Sequence, residues 1–304
     1  MSSVDLNHPD TATRSDSVSA DNRERSLWRD AAYRFARSRA AMVSTGIILL
    51  IAFLAIVVPI WGPHPIDVVY WDRLLSSPTL VDSHWFGTDV NGRDMFARIF
   101  YGARISLTIG VLTTLIALII GVVYGAVAGY FGGRLGAVMM RFVDILYAVP
   151  ALFLIIILVS TFGNNFVLVF VSIGAVEWLT LARIVRAQTL SVREKDYLES
   201  ARALGLPSST ILFRYIIPNV IGPVIVYVTL LIPINILVES YLSFLGLGVQ
   251  EPFTSLGRLV SQGAKEIETG PWLLLVPAAF LVIIMFCFNF IGDGLRDSLD
   301  PKYP

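Results

Sequence analysis

Three carboxylates, Asp144, Glu177 and Glu239, stand inside otherwise apolar runs of this 304-residue chain, and the amide Asn235 lies one turn before the last of them. An ionised group at the centre of a bilayer costs about 2.5–3.5 kcal/mol on insertion scales, so such a residue either pairs or lines a path for a polar solute. Glu177, Asn235 and Glu239 are the path candidates. The alternative for each is a structural ion pair, for example Glu177 with Arg183, or a place near a membrane interface, and that alternative is favoured for Asp144. Other chemistry is sparse. His8, His64 and His84 share no metal-ligand spacing. Cys287 has no partner in the chain and reads as a small buried hydrophobe. The stretch TDVNGRD at 88–94 has the acids of a calcium loop without its full ligand set. No G-x-x-x-x-G-K-[ST] segment is present, so no P-loop can cradle a nucleotide's phosphates. A hydrolytic site in lipid would need a Ser/His or paired-Asp constellation, or metal ligands, and no histidine lies in an apolar run. Neither an enzyme nor a bound metal or cofactor is expected.

The elements that must position these residues are helices in lipid. Only 15% of the residues are charged, against about 25% in soluble domains. Hydrophobic residues make up 55%, and mean hydropathy is +0.71. Apolar runs near 20 residues long predict an all-α polytopic membrane protein with six spans. Residues 1–24 are polar and expected to be disordered. They lack the early apolar core of a cleavable signal peptide. Residues 25–39, with Arg29, Arg34, Arg37 and Arg39, predict a basic amphipathic helix on the membrane surface. The first span covers 40–61, a polar connector 62–103, a five-span core 104–292 and a tail 293–304. Within the core the spans fall near 105–130, 138–162 (broken by Pro150), 166–185, 220–247 and 272–291. Basic residues gather before the first span, at Arg134 and Arg141, and from Arg186 to Arg214. The positive-inside rule therefore predicts cytoplasmic termini and a cytoplasmic 186–219 segment, leaving 62–103 outside. A net charge of zero gives no reason to expect nucleic acid.

That cytoplasmic segment is the least lipid-like part of the core. Residues 194–204 predict a helix with Tyr197, Ala201 and Leu204 on one apolar stripe and Glu199 with Arg202 as an i,i+3 pair beside it. Gly205 and Pro207 form a stop signal in which the glycine takes positive φ. Ser208 or Ser209 can cap a second helix, 210–217, ending at Pro218. The hairpin could lie on lipid headgroups. A short rigid helix pinned between two spans can also transmit a push from a docked partner.

The run E-S-A-x3-G-x9-Y-I-I-P resembles the cytoplasmic "EAA" motif of ABC-importer permeases: Glu199, Ala201, Gly205 and Pro218 match, while Ser200, Tyr215 and Ile217 depart from the loose pattern. HWFGTDVNGRDMFARIFYGARISL, ESYLSFLGLGVQEP, NFIGDGLRDSLDP and RSLWRDAAYRFARSRAAM are similar to signatures of the oligopeptide and dipeptide branch, specifically its C-type permease subunit. Nickel importers of the family share much of this architecture.

The resemblance implies a transport subunit in a bacterial inner membrane, carrying oligopeptides or dipeptides. Glu199, Ala201, Leu204, Gly205, Tyr215 and Pro218 would couple it to ATPases across the 189–218 segment. Its implied partners are a second homologous permease, one or two cytoplasmic ATPase subunits holding ATP and Mg, and an extracytoplasmic peptide-binding protein. By its length, the 62–103 connector is no simple turn and would be a docking surface for the binding protein or the partner permease, or else a folded cap over the spans. A rival class, the ion-coupled secondary carrier, would show internal repeats and acids on discontinuous helices, and it leaves the hairpin unexplained.

Overall fold

The structure is a computed structural model that describes residues 27–163, 165–251 and 253–299. The disordered segment expected at 1–24 and the last residues of the expected tail lie outside them. Among the described residues there are helices and one isolated bridge, Thr88 to Asp94. Helix α1 (Leu27–Arg37) leads through Ser38 into α2 (Arg39–Trp61), whose first turn Ser38 Oγ caps by accepting from the Ala41 amide. At 23 residues α2 is roughly 35 Å long, enough to cross a hydrocarbon layer of about 30 Å. Helix α3 (Met95–Phe131) begins ten residues earlier than the second span was expected, because Asp94 Oδ2 accepts from the Ala97 amide and starts the helix inside the polar connector.

After Gly132 and Gly133, both at positive φ, α4 (Gly133–Tyr147) runs back along α3. It ends before Pro150, and α5 (Ala151–Phe162) leaves at 79° to it. Five helices are long and apolar enough to cross a membrane, and the bent α4–α5 pair makes a sixth if it counts as one span. Helix α6 (Phe166–Arg193) extends eight residues past its expected end; α7 (Asp196–Ala203) and α8 (Ser208–Thr210) follow, then a π-helical stretch (Ile211–Ile216) and α9 (Ile217–Phe244). Helices α10 (Leu256–Lys265) and α11 (Trp272–Leu299) complete the described chain, α11 continuing through most of the tail expected from residue 293.

The bundle is built on α3 and α6. Gly121, Gly125 and Gly129 put their bare backbone against Leu181, Ala182, Val185 and Thr189 of α6. In lipid, where neighbouring tails are as apolar as leucine, such small-residue seams drive helix association through close backbone packing. The sequence carried this seam as glycines at every fourth position, and reasoning from hydropathy alone passes over it.

The connector is held by side chains. His84 donates from Nδ1 to Asp94 Oδ1 at 2.8 Å. His64 reaches the Tyr70 hydroxyl and the Asp82 carbonyl, and the two imidazoles stack with centroids 4.1 Å apart. His64, His84 and Asp94 thus share a site of metal-ligand composition. Both His64 nitrogens are nevertheless taken by protein groups, and stacked rings cannot aim in-plane lone pairs at one ion. In the 88–94 loop, Asp89 Oδ1 accepts from the amides of Asn91 and Arg93 while its other oxygen faces Arg98 at 3.5 Å. Those acids close a turn and cap a helix.

Arg93 clamps the connector to the loop after α9 through both oxygens of Glu251, at 3.2 and 3.5 Å. The hydrogen bond from Arg93, then the nearby guanidinium charges, hold the Glu251 carboxyl below its ordinary value of 4.5. A depressed carboxylate stabilises fully above the ordinary value, and its contribution is lost as pH falls through the folded value. Hydrogen exchange at 245–251 should therefore be pH-independent in its protection above about pH 4.5 and quicken below it. In Glu251→Gln the acid-side step should vanish.

Candidate functional site

The segment between α6 and α9 is a rigid hairpin seated on the membrane core. Leu198 and Ala201 of α7 are buried, as are Ile211, Leu212 and Ile216. Leu198, Ile211, Leu212 and Ile216 pack with Val122 and Ala126 of α3, Leu181, Val185 and Val192 of α6, and Val220 of α9. Burial inside the protein argues against a hairpin resting its apolar face on headgroups. It also corrects the stripe read from the sequence: Tyr197 is exposed and Leu204 is 82% exposed, so the inward face is Leu198 with Ala201. The i,i+3 pairing of Glu199 with Arg202 is likewise absent, since Arg202 instead sits over the Tyr130 ring at 5.5 Å. Arg193 reaches the carbonyls of Gly129 and Tyr130 at 3.4 Å and ties the end of α6 to the end of α3.

The stop signal takes the expected form. Gly205 has φ +76°, its amide donates to the Arg202 carbonyl at 2.9 Å, and the Leu206 amide donates to Ala201 at 3.2 Å. This bond pair is the Schellman closure, which satisfies carbonyls that the helix end would leave unpaired. Pro218 differs from expectation. It does not end a helix; the chain runs from Ser208 to Phe244 as one 37-residue unit. The π-helical stretch widens the turn so that the Ile217 amide donates to Leu212, and the Asn219 side-chain amide donates to the Tyr215 carbonyl at 2.6 Å. Those bonds accommodate a residue with no N–H. The outer surface then presents Tyr197, Glu199, Ser200, Arg202, Leu204 and Phe213. Of the six residues expected to couple, Glu199, Leu204, Gly205 and Pro218 are exposed, Tyr215 is partly buried and Ala201 is buried.

The path candidates separate. Asn235 and Glu239 are completely buried. Asn235 donates to Thr114 Oγ1 at 2.8 Å, and Glu239 Oε1 accepts from Ser243 and Ser255 at 2.7 Å each. Together they lock α9 to α3 and to the start of α10, facing protein instead of a cavity. Glu177 is partly buried on α6, with no polar partner given by the described residues. Arg183 does not pair with it. Its guanidinium donates to Asp144 Oδ1 at 2.7 Å and lies over the Tyr147 ring at 3.9 Å.

The described residues thus form a bundle of membrane-crossing helices with one stiff polar hairpin between two of its spans. Residues 121–303 match the family model described as "Binding-protein-dependent transport system inner membrane component", and the chain belongs to that family. Residues 26–78 match the model for the "N-terminal TM domain of oligopeptide transport permease C". Among relatives, the oligopeptide transport system permease protein OppC of Escherichia coli (strain K12) is 53% identical over 278 residues, covering 91% of this chain and 92% of that protein. The protein of that name from Bacillus subtilis (strain 168) is 40% identical over 97% of this chain and 96% of its own length. The dipeptide transport system permease protein DppC of the same bacterium is 41% identical over 91% and 86%. A solved chain of the MetNI methionine ABC transporter, in an inward-facing conformation, superposes with a TM-score of 0.55 at 18% identity, over 67% of this chain and 97% of that one. At that identity the likeness bears on the fold.

Proposed function

We propose that this chain is one permease subunit of an ATP-driven importer that carries oligopeptides or dipeptides across a bacterial inner membrane. The observation that carries the proposal is the hairpin: a helix closed by Gly205 and welded to α3 and α6, with Leu204, Tyr197 and Glu199 facing outward. Exposed apolar side chains on a rigid polar element mark a protein-docking face. Separate ATPase subunits, one or two, bind ATP and Mg and grip this face in the cytoplasm, where both termini also lie. No cofactor belongs to this chain. The names of the relatives support peptide as cargo, delivered by an extracytoplasmic binding protein that meets the 62–103 connector. A second, homologous permease completes the passage. The outward residues Val138, Phe142, Ile145, Phe153 and Ile157 of α4 and α5 are an apolar surface suited to it. Glu177 stays as a path candidate; Asn235 and Glu239 serve as the lock between α3, α9 and α10.

The test is co-purification with the ATPase. Glu199→Lys and Leu204→Asp, each on an exposed position, should leave membrane insertion and detergent stability unchanged. Loss of an anchor at the centre of an interface typically costs 2 kcal/mol or more, so ATPase retention should drop by roughly thirtyfold at limiting concentration. Full retention with both variants would remove the hairpin from the coupling interface.

A further inference from the structure

The pair Asp144–Arg183 joins α4 to α6, with Arg141 three residues before Asp144 and Arg186 three residues after Arg183. From Ile105 to Phe131 helix α3 carries no charged residue. Gly125 of α3 backs on Ala182 of α6, and Gly121 backs on Leu181, so Arg183 lies level with Gly121–Gly125. That level is roughly 9–15 Å along the axis from the end of α3, well inside the hydrocarbon thickness. Helix α4 reaches the same depth. It returns antiparallel to α3, with Gly136 against the Ala128 carbonyl and the Tyr124 hydroxyl donating to the Met139 carbonyl at 2.8 Å.

Neither member of the pair is buried in the subunit: the Arg183 and Asp144 side chains are 37% and 53% exposed. Tyr147, under the guanidinium, is also exposed. A second, independent feature occupies the same depth. The chain bends by 79° between α4 and α5, and residues 147–150 are all exposed there. Broken helical backbone at membrane depth is tolerated only against protein or along a water-filled cavity. Charges exposed at that depth obey the same rule.

We infer that Asp144, Arg183 and Tyr147 line the water-filled passage of the transporter at the level of the α4–α5 bend and contact the charged and amide groups of a passing peptide. Asp144 offers a carboxylate to an ammonium, Arg183 a planar fork to a carboxylate, and Tyr147 a ring and a hydroxyl to the backbone between them. The two charges neutralise each other when no peptide is present, so the pair itself adds no net fixed charge to the passage. The substrate class rests on the peptide-importer reading; the water-filled passage does not.

The experiment uses the complete transporter, reconstituted in lipid vesicles, with Cys287→Ala removing this chain's one thiol and labelling read on this chain alone. Tyr147→Cys and, as a second variant less demanding of packing, Ala148→Cys are treated with a charged, membrane-impermeant methanethiosulfonate. Phe53→Cys, on the exposed apolar face of α2, is the lipid-facing control. Both bend cysteines should react at least tenfold faster than the control, and a transported peptide with ATP should slow that reaction several-fold. Bend cysteines as inert as Phe53→Cys would overturn the passage. Fast labelling without peptide protection would overturn the peptide contact. Peptide uptake by the unmutated transporter is measured in the same vesicles. Uptake with inert bend cysteines sinks this inference alone, whereas ATP hydrolysis with no peptide uptake sinks the assigned substrate.

Discussion

Replacing Gly125 by leucine should leave little of this protein folded in the membrane. A Cβ at that position would stand 2.5 Å from the Ala182 carbonyl oxygen, 2.8 Å from Val185 Cβ and 3.1 Å from the Arg186 amide. Two of those neighbours are backbone atoms, which cannot rotate aside as a side-chain end could. Overpacking a core costs about 1–3 kcal/mol when side chains can yield, and occasionally more. Here the only relief is to part α3 from α6, the pair against which the hairpin also packs. The yield of monodisperse protein in mild detergent should fall several-fold, and its melting temperature should drop. Gly222→Ala is the matched control, because nothing lies within 4 Å of a Cβ there and the glycine is helical. That substitution should be neutral, or stabilising by up to about 1 kcal/mol, since alanine is the better helix former. If Gly125→Leu melted with the unmutated protein, the close α3–α6 approach would be wrong.

The second large effect is on function without loss of the fold. Gly205→Val should abolish uptake while the protein remains in the membrane at normal amounts. No atom lies within 4 Å of a Cβ on Gly205, so the substitution meets no clash. What it meets is the backbone, with φ at +76°. That region costs an L-residue about 1–2 kcal/mol, more with a branched Cβ. Relief by a shift to negative φ would break the bonds from Gly205 to Arg202 and from Leu206 to Ala201, freeing α7 to turn and displacing Leu204 from the docking face. Gly205→Asn separates backbone strain from any need for a bare surface, because asparagine enters this region with little penalty. Transport should survive largely in the Asn variant and vanish in the Val variant. Equal uptake by all three proteins would show that the helix stop carries no force.

Much of this could be read in the sequence because the forces involved act over a few residues. Apolar runs of span length fixed the class, since an unpaired backbone in lipid has few alternatives to a helix. The glycine and proline at 205 and 207 set the end of α7 through φ and a missing N–H alone. The same local reasoning misplaced features that depend on neighbours. Pro218 looked like a terminus, yet a π-turn and the Asn219 amide carry the helix through it. Tyr197 and Leu204 looked like the inward stripe, yet the docking of α7 on α3 and α6 turned Leu198 inward instead. Arg183 was matched to Glu177 on its own helix, when its partner Asp144 lies 39 positions away. Hydropathy says that a helix lies in lipid but not how it is rotated or which neighbour stands at its depth. The sequence therefore determined the helical class and the stop that closes α7. Only the packing of α3 and α10 against α9 decided that Asn235 and Glu239 are locked between helices, and only that of α4 against α6 left Asp144 and Arg183 exposed at membrane depth. Burial follows from relative rotation and depth, and those are set by bare-backbone contacts such as Gly125 on Ala182 that act between residues distant in the chain.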